Sequence, residues 1–223
     1  MPDNFTERVR KRADPIWEAQ QRHPFIVGLG DGTLESSKFE FWVRQDYLFL
    51  IESARFLGLA AARSPDLEAM SFFANLAHTV VASEMDLQRS FAQVFGISAA
   101  ELENEPKAPV TQGYTDFLLR HACLADFEVL IGSLLPGLWC FSEIGQRLAE
   151  RPPPADERYL KWIEMHADEA FVGQAEQCRL LLDRWTTDLP EGRLRSVEEA
   201  FLIASRYEWL FLDMAWNQAH WPL

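Results

Sequence analysis

The stretch SSKFEFWVRQDYLFLIES, residues 36–53, decides how the chain is read. Phe39, Trp42, Val43 and Leu50 recur at steps that fall on one side of a helix, whereas a half-buried strand would need apolar residues at every second position. Ser37 stands three residues before Glu40, the spacing of a capping box that satisfies amides left without partners in a first turn. A start signal and a helical period therefore coincide.

The same period continues on both sides. Phe72, Leu76 and Val80 repeat it, and sustained alternation is absent. Further capping boxes are read at Ser98 with Glu101 and at Ser196 with Glu199, and Ser64-Pro65 places a cap before a proline at a first helical position. Breaks fall at 23–35, 63–66, 104–109, the prolines 152–154, and 189–195. In the first of these, Gly28-Leu29-Gly30-Asp31-Gly32 reads as turn chemistry. The predicted helices are 4–22, 36–62, 66–95, 98–103, 110–124, 126–150, 155–168, 170–187 and 196–219. No linker, repeat or low-complexity segment interrupts them, which predicts an all-α multi-helix bundle with 1–223 as a single domain.

Composition narrows the function. The 223 residues are 48% apolar, enough for one sizeable core, and 21 basic against 34 acidic residues give a formal charge of −13. That field repels phosphate backbones and anionic leaflets, so neither nucleic acid nor a membrane is expected as a partner. MPDNFTERVRKRADP, the first fifteen residues, mixes charges without the apolar core of a secretory signal. The longest apolar run, Val129 to Phe141, is shorter than the roughly 18 residues of a spanning helix and contains Gly132, Pro136 and Gly137; it reads as a core helix. Three cysteines without CxxC spacing suit reduced thiols, and the chain is expected to be cytoplasmic.

Cofactor signals are missing. There is no Gly-rich phosphate loop and no GxSxG, and the five histidines lack HxxxH, HExxH or Glu-x-x-His spacing. His166 with Glu169 and His78 with Glu84 are weaker pairings, better explained as capped or solvated histidines. The expectation is no metal and no cofactor.

Four carboxylates interrupt apolar helices: Asp46, Glu84, Glu143 and Glu208. Burying a carboxylate is costly unless it is paired, so each is either a polar staple between helices or functional. Glu208, between Tyr207, Trp209 and Phe211, suits a general acid and base whose proton affinity is raised by apolar surroundings. Asp46 shares a helical face with Phe49 and Leu50, so a carboxylate acceptor and an aromatic plane would face an amino-substituted heteroaromatic ring. Pro136-Gly137 predicts a kink that either borders a cavity or accommodates a crossing helix. Cys140, one turn on, reads as an inert buried thiol unless a base or cation stands beside it.

Five segments in order, HPFIVGLGDGTL (23–34), FWVRQDYLFL (41–50), LLPGLWCFSEIG (134–145), KWIEMHADEAF (161–171) and RYEWLFLDMAW (206–216), resemble the signature segments of the TenA (thiaminase II) family. The resemblance implies a haem-oxygenase-like helical fold, commonly a homo-oligomer (tetramer or dimer), and a small-molecule pyrimidine ligand. It implies hydrolysis of thiamin or of 4-amino-5-aminomethyl-2-methylpyrimidine to the hydroxymethylpyrimidine. By motif, Asp46 and Tyr114 would hold the ring and Glu208 would be the acid/base, while Phe49, on the helical face of Asp46, would add an aromatic plane to the binding site. Gly137 stands where the family's nucleophilic cysteine is expected, Phe141 and His166 where pocket tyrosines are expected, and Leu138 where a second branch of the family would carry a glutamate. Attack by a water activated by Glu208 is then the expected route, with Cys140 or Glu84 as possible accessory groups. Two other readings stay open: a haem-oxygenase-like oxidase, which would need three or more converging His and carboxylate side chains, and a non-catalytic small-molecule binding or regulatory member.

Overall fold

The computed structural model describes residues 4–222, so the first three residues of the charged amino-terminal stretch, and Leu223, lie outside the described residues. Among the described residues the chain is helical with no strand. It divides into two compact units, one made of the residues up to Leu34 with Glu128–Leu212, the other of Glu35–Phe127 with the residues from Asp213 on.

The first unit starts with α1, Phe5–Gln21, whose buried face is Val9, Ala13, Trp17 and Gln20. Trp17 packs edge-on to Trp139 at 5.3 Å and stacks on Phe201 at 6.0 Å. Its indole N–H donates to Ser205 Oγ at 3.1 Å, so this large apolar group is buried without orphaning its polar atom. Arg10 lies over the Trp17 ring at 4.0 Å and pairs with Glu143 at 2.8 Å. Glu143 is thus a partner for a cation, the staple that its sequence setting allowed.

The glycine-rich segment read as a turn is instead a helix, α2, Pro24–Asp31. His23 caps it, its ring nitrogen accepting from the Phe25 amide at 3.2 Å, and Pro24 occupies the first position. Phe25, Ile26 and Leu29 are buried, and that apolar gain outweighs the poor helix propensity of Gly28 and Gly30. Only Gly32, at φ 73° in the left-handed region, does what the turn reading asked: it ends the helix while the amides of Thr33 and Leu34 both return to the Gly28 carbonyl.

Next come α8, Phe127–Ala149, which runs through Pro136 and Gly137, then α9, Glu157–Ala167, α10, Glu169–Thr186, and α11, Glu191–Asn217. α11 begins five residues before the predicted start. Ser196 is inside it and donates back to the Gly192 carbonyl, so the expected box with Glu199 does not form. α8 is long and apolar enough to cross a membrane, and 61% of its most apolar window is buried inside the protein.

α8 and α9 meet closely because Gly145 has no side chain. A Cβ there would come within 2.5 Å of the His166 carbonyl carbon and 2.6 Å of its Cβ, atoms that cannot swing aside. Gly145→Ala should therefore cost about 2–3 kcal/mol and lower Tm by about 5–10 °C in a thermal melt. A variant melting with the wild type would show that the backbones separate freely.

The second unit contains α3, Ser36–Arg63, α4, Leu67–Thr79, a π-helical turn at Val80–Glu84, α5, Met85–Val94, α6, Ala99–Glu103, and α7, Pro109–Leu124. The apolar stripe of α3 is buried from Phe39 to Ala60 as its period predicted. Its start is not a capping box: Ser37 is already helical and accepts from Gln218 Nε2 at 3.0 Å. Ser64 closes α3, donating to the Ala60 carbonyl, and the cap of α4 is Asp66, which accepts from the Ala69 amide at 2.8 Å. The Ser98–Glu101 box forms in full. Gln45, 1% exposed, donates to the Pro106 carbonyl and accepts from the Ala108 amide and Thr111 hydroxyl, which sets where α7 begins and hence where Tyr114 sits.

Candidate active site

In the first unit, Glu208 is 4% exposed on α11. Trp209, next to it in sequence, is turned about 100° away along the helix and packs edge-on to the His23 ring at 5.5 Å, whereas Phe211, three residues on and 3% exposed, falls on the Glu208 side of the helix. The charge of Glu208 is felt by Cys140, whose thiol is fully buried and donates to Gln20 Oε1 at 2.6 Å. Gln20 in turn donates to the Ser205 carbonyl at 3.0 Å. Burial first, then the negative charges of Glu208 and Glu143, push the Cys140 thiol well above its ordinary range, against a smaller opposing pull from Arg10. The thiol is held protonated, which suits it poorly to attack as a thiolate.

Phe141 and His166 are brought together, with ring centroids 5.4 Å apart, and Trp162 and Phe171 flank the imidazole at 4.0 and 5.2 Å. Burial lowers the imidazole to about 4, so it is neutral at pH 7. Its Nδ1–H donates to the Trp162 carbonyl at 2.8 Å, because a carbonyl can only accept; Nε2 is then a lone-pair acceptor. A tyrosine hydroxyl in this place could also donate. Gly137 is half-buried on α8, one turn before Phe141, and offers no side chain.

In the second unit, Asp46 on α3 accepts from Gln88 Nε2 at 2.6 Å. Phe49, one turn on, lies 5.1 Å from the ring of Tyr114, tilted by 32°, and Tyr114 is 1% exposed. An acid and two aromatic planes are therefore assembled from α3 and α7. Glu84 ends the π-helical turn, a geometry that is uncommon and recurs at functional sites. Burial of its carboxyl raises it from 4.5 to about 7.

That shift has a stability consequence. Below about pH 4.5 Glu84 is protonated folded or unfolded and costs nothing; between about 4.5 and 7 the unfolded chain ionises while burial holds the proton in the folded one, so stability falls, and the full cost remains above 7. Discounted for the partial exposure of the residue, Glu84→Gln should gain about 1–3 kcal/mol at pH 8 and little at pH 4.5. Urea unfolding at the two pH values checks it, and an equal gain at both would refute the cause.

Two buried amides, Gln20 and Gln88, contact Cys140 and Asp46, and the sequence reading did not single them out. Each sits on an otherwise apolar stripe, Ala13-Trp17-Gln20 and Met85-Gln88-Phe91, and a lone amide at such a position was the available signal. Among the described residues no three His, Cys, Asp or Glu side chains gather as metal ligands would.

An all-helical chain with this order of helices has the haem-oxygenase-like architecture. A domain of unknown function with a heme oxygenase-like fold from Shewanella denitrificans OS217 matches at TM-score 0.73 and 15% identity, over 98% of this chain and 94% of that one. A TenA homologue from P. horikoshii OT3 matches at TM-score 0.87 and 22% identity, over 96% and 99%. These likenesses concern the fold alone. The sequence profile of the TENA/THI-4/PQQC family matches residues 10–218, and the chain belongs to that family. An aminopyrimidine aminohydrolase of Halalkalibacterium halodurans is 40% identical over 219 residues, 98% of this chain and 98% of that protein.

Proposed function

We propose that this protein is an aminopyrimidine aminohydrolase of thiamin salvage. It hydrolyses the exocyclic C–N bond of 4-amino-5-aminomethyl-2-methylpyrimidine, or of a related thiamin degradation product, releasing ammonia and the hydroxymethylpyrimidine. The observation that carries this reading is the full-length 40% identity to a protein of that name. The chemistry of the residues supports it. Glu208, nearly enclosed, takes a proton from water and returns one to the departing amine. Asp46 accepts hydrogen bonds from the amino-substituted edge of the ring, and Phe49 and Tyr114 offer it aromatic faces.

Water is the nucleophile. Position 137 is glycine, and Cys140 is committed as a protonated donor. Glu84, whose carboxyl exchanges its proton near neutrality, is an accessory proton carrier. Phe141, His166 and Gly137 shape the ligand: the acceptor Nε2 of His166 and the absence of a hydroxyl on Phe141 favour a substrate that donates where a tyrosine-lined site would accept or donate. The protein is further proposed to act in the cytosol, as a homo-oligomer and as one folding domain.

Single-turnover reaction of metal-analysed protein with 4-amino-5-aminomethyl-2-methylpyrimidine and with thiamin tests the reading. Hydroxymethylpyrimidine should appear at least from the first. Folded protein that yields none from either substrate would overturn it.

A further inference from the structure

We infer that Gln88 is a positioning residue that fixes Asp46 and thereby sets the preference for an amino-substituted ring. The inference rests on the proposed function for the identity of the ring. Its grounds lie in the second unit.

Gln88 is 1% exposed on α5, between the buried residues Met85, Phe91 and Ala92. Its Nε2 donates to Asp46 Oδ2 at 2.6 Å, while its Oε1 is buried without a hydrogen-bond partner. Turning the amide over would set Oε1 against a carboxylate, so the orientation is dictated by Asp46. A buried acceptor left unpaired is unfavourable, and leucine or methionine would fill the same stripe without that cost. The amide is therefore poorly explained by packing. What it supplies is the contact with Asp46.

That contact has two chemical effects. It fixes the rotation of the carboxylate, and, as a donor to the charged form, it favours the ionised, acceptor-only state. A carboxylate so held takes a hydrogen bond from an exocyclic amino group. It repels a ring that carries a carbonyl oxygen in the amino position, because two acceptors would face each other. Gln88 thus acts on the ligand through Asp46 and need not touch it.

The test is Gln88→Leu, examined by calorimetric titration with 4-amino-5-hydroxymethyl-2-methylpyrimidine and with its 4-oxo analogue, alongside turnover and a thermal melt. The variant should melt at or above the wild type, since the orphaned oxygen is gone. Its affinity for the amino ligand should fall by about tenfold, its amino-over-oxo preference should shrink by a similar factor, and kcat should change by less than about threefold. A purely structural role would weaken both ligands together and lower Tm. Gln88→Met, of matching length and without a donor, repeats the measurement if the leucine variant folds poorly. Unchanged preference in a wild type that discriminates would sink this inference alone. A wild type that binds neither pyrimidine would sink the proposed function and the inference with it.

Discussion

Glu208→Gln should release hydroxymethylpyrimidine about 10²–10⁴-fold more slowly than the wild type in single turnover, with an unchanged melting profile. The substitution preserves volume and hydrogen-bonding reach at a residue that is 4% exposed, so packing in the first unit should survive. What is lost is the capacity to take a proton from water and return it to the amine, and an amide has no such capacity at any accessible pH. The loss should appear mainly in kcat, because proton transfer belongs to the transition state and not to ground-state binding. A variant within tenfold of the wild type would remove Glu208 from the reaction and leave Glu84 as the carboxyl to examine next.

Asp46→Asn should act on the other side of the rate equation. Replacing a charged acceptor by a neutral amide removes a charge-assisted hydrogen bond, so affinity for the amino ligand should fall about 10- to 100-fold, with kcat affected far less. The new amide also faces Gln88 Nε2, which donated to Asp46 at 2.6 Å, and can keep that contact only by presenting its oxygen there. Its NH₂ is then turned elsewhere, donor toward donor for an amino-substituted ring. Calorimetric titration and KM measure this directly. An unaltered KM would mean that Phe49 and Tyr114 hold the ring without the carboxylate.

Individual elements show why some features were legible in sequence and others were not. Three Ser-x-x-Glu patterns were equally good locally, but only Ser98–Glu101 caps a helix. Ser37 and Ser196 lie inside helices that start earlier, because a cap requires the backbone to leave helical geometry at that residue. α2 was hidden by its glycines, whose propensity argues for a turn; burial of Phe25, Ile26 and Leu29 overrides it. The π-helical turn at Val80–Glu84 carries no compositional mark at all. Glu143 and Glu208 looked alike as carboxylates in apolar helices, and the cation that Glu143 meets, Arg10, lies 133 residues away in sequence.

The sequence by itself determined the helical architecture, through the period of its apolar residues, and its ordered signature segments pointed to the family. It also nominated Asp46 and Glu208, since a carboxylate within an apolar stripe is a local feature. Only the tertiary structure decided that Glu143 pairs with Arg10, that burial, then the charges of Glu208 and Glu143, hold Cys140 as a protonated thiol, and that Gln88 meets Asp46. The physical reason is range. Helical periodicity is set by the polarity of residues within a turn or two, whereas burial and protonation are sums over groups that the fold gathers from distant parts of the chain.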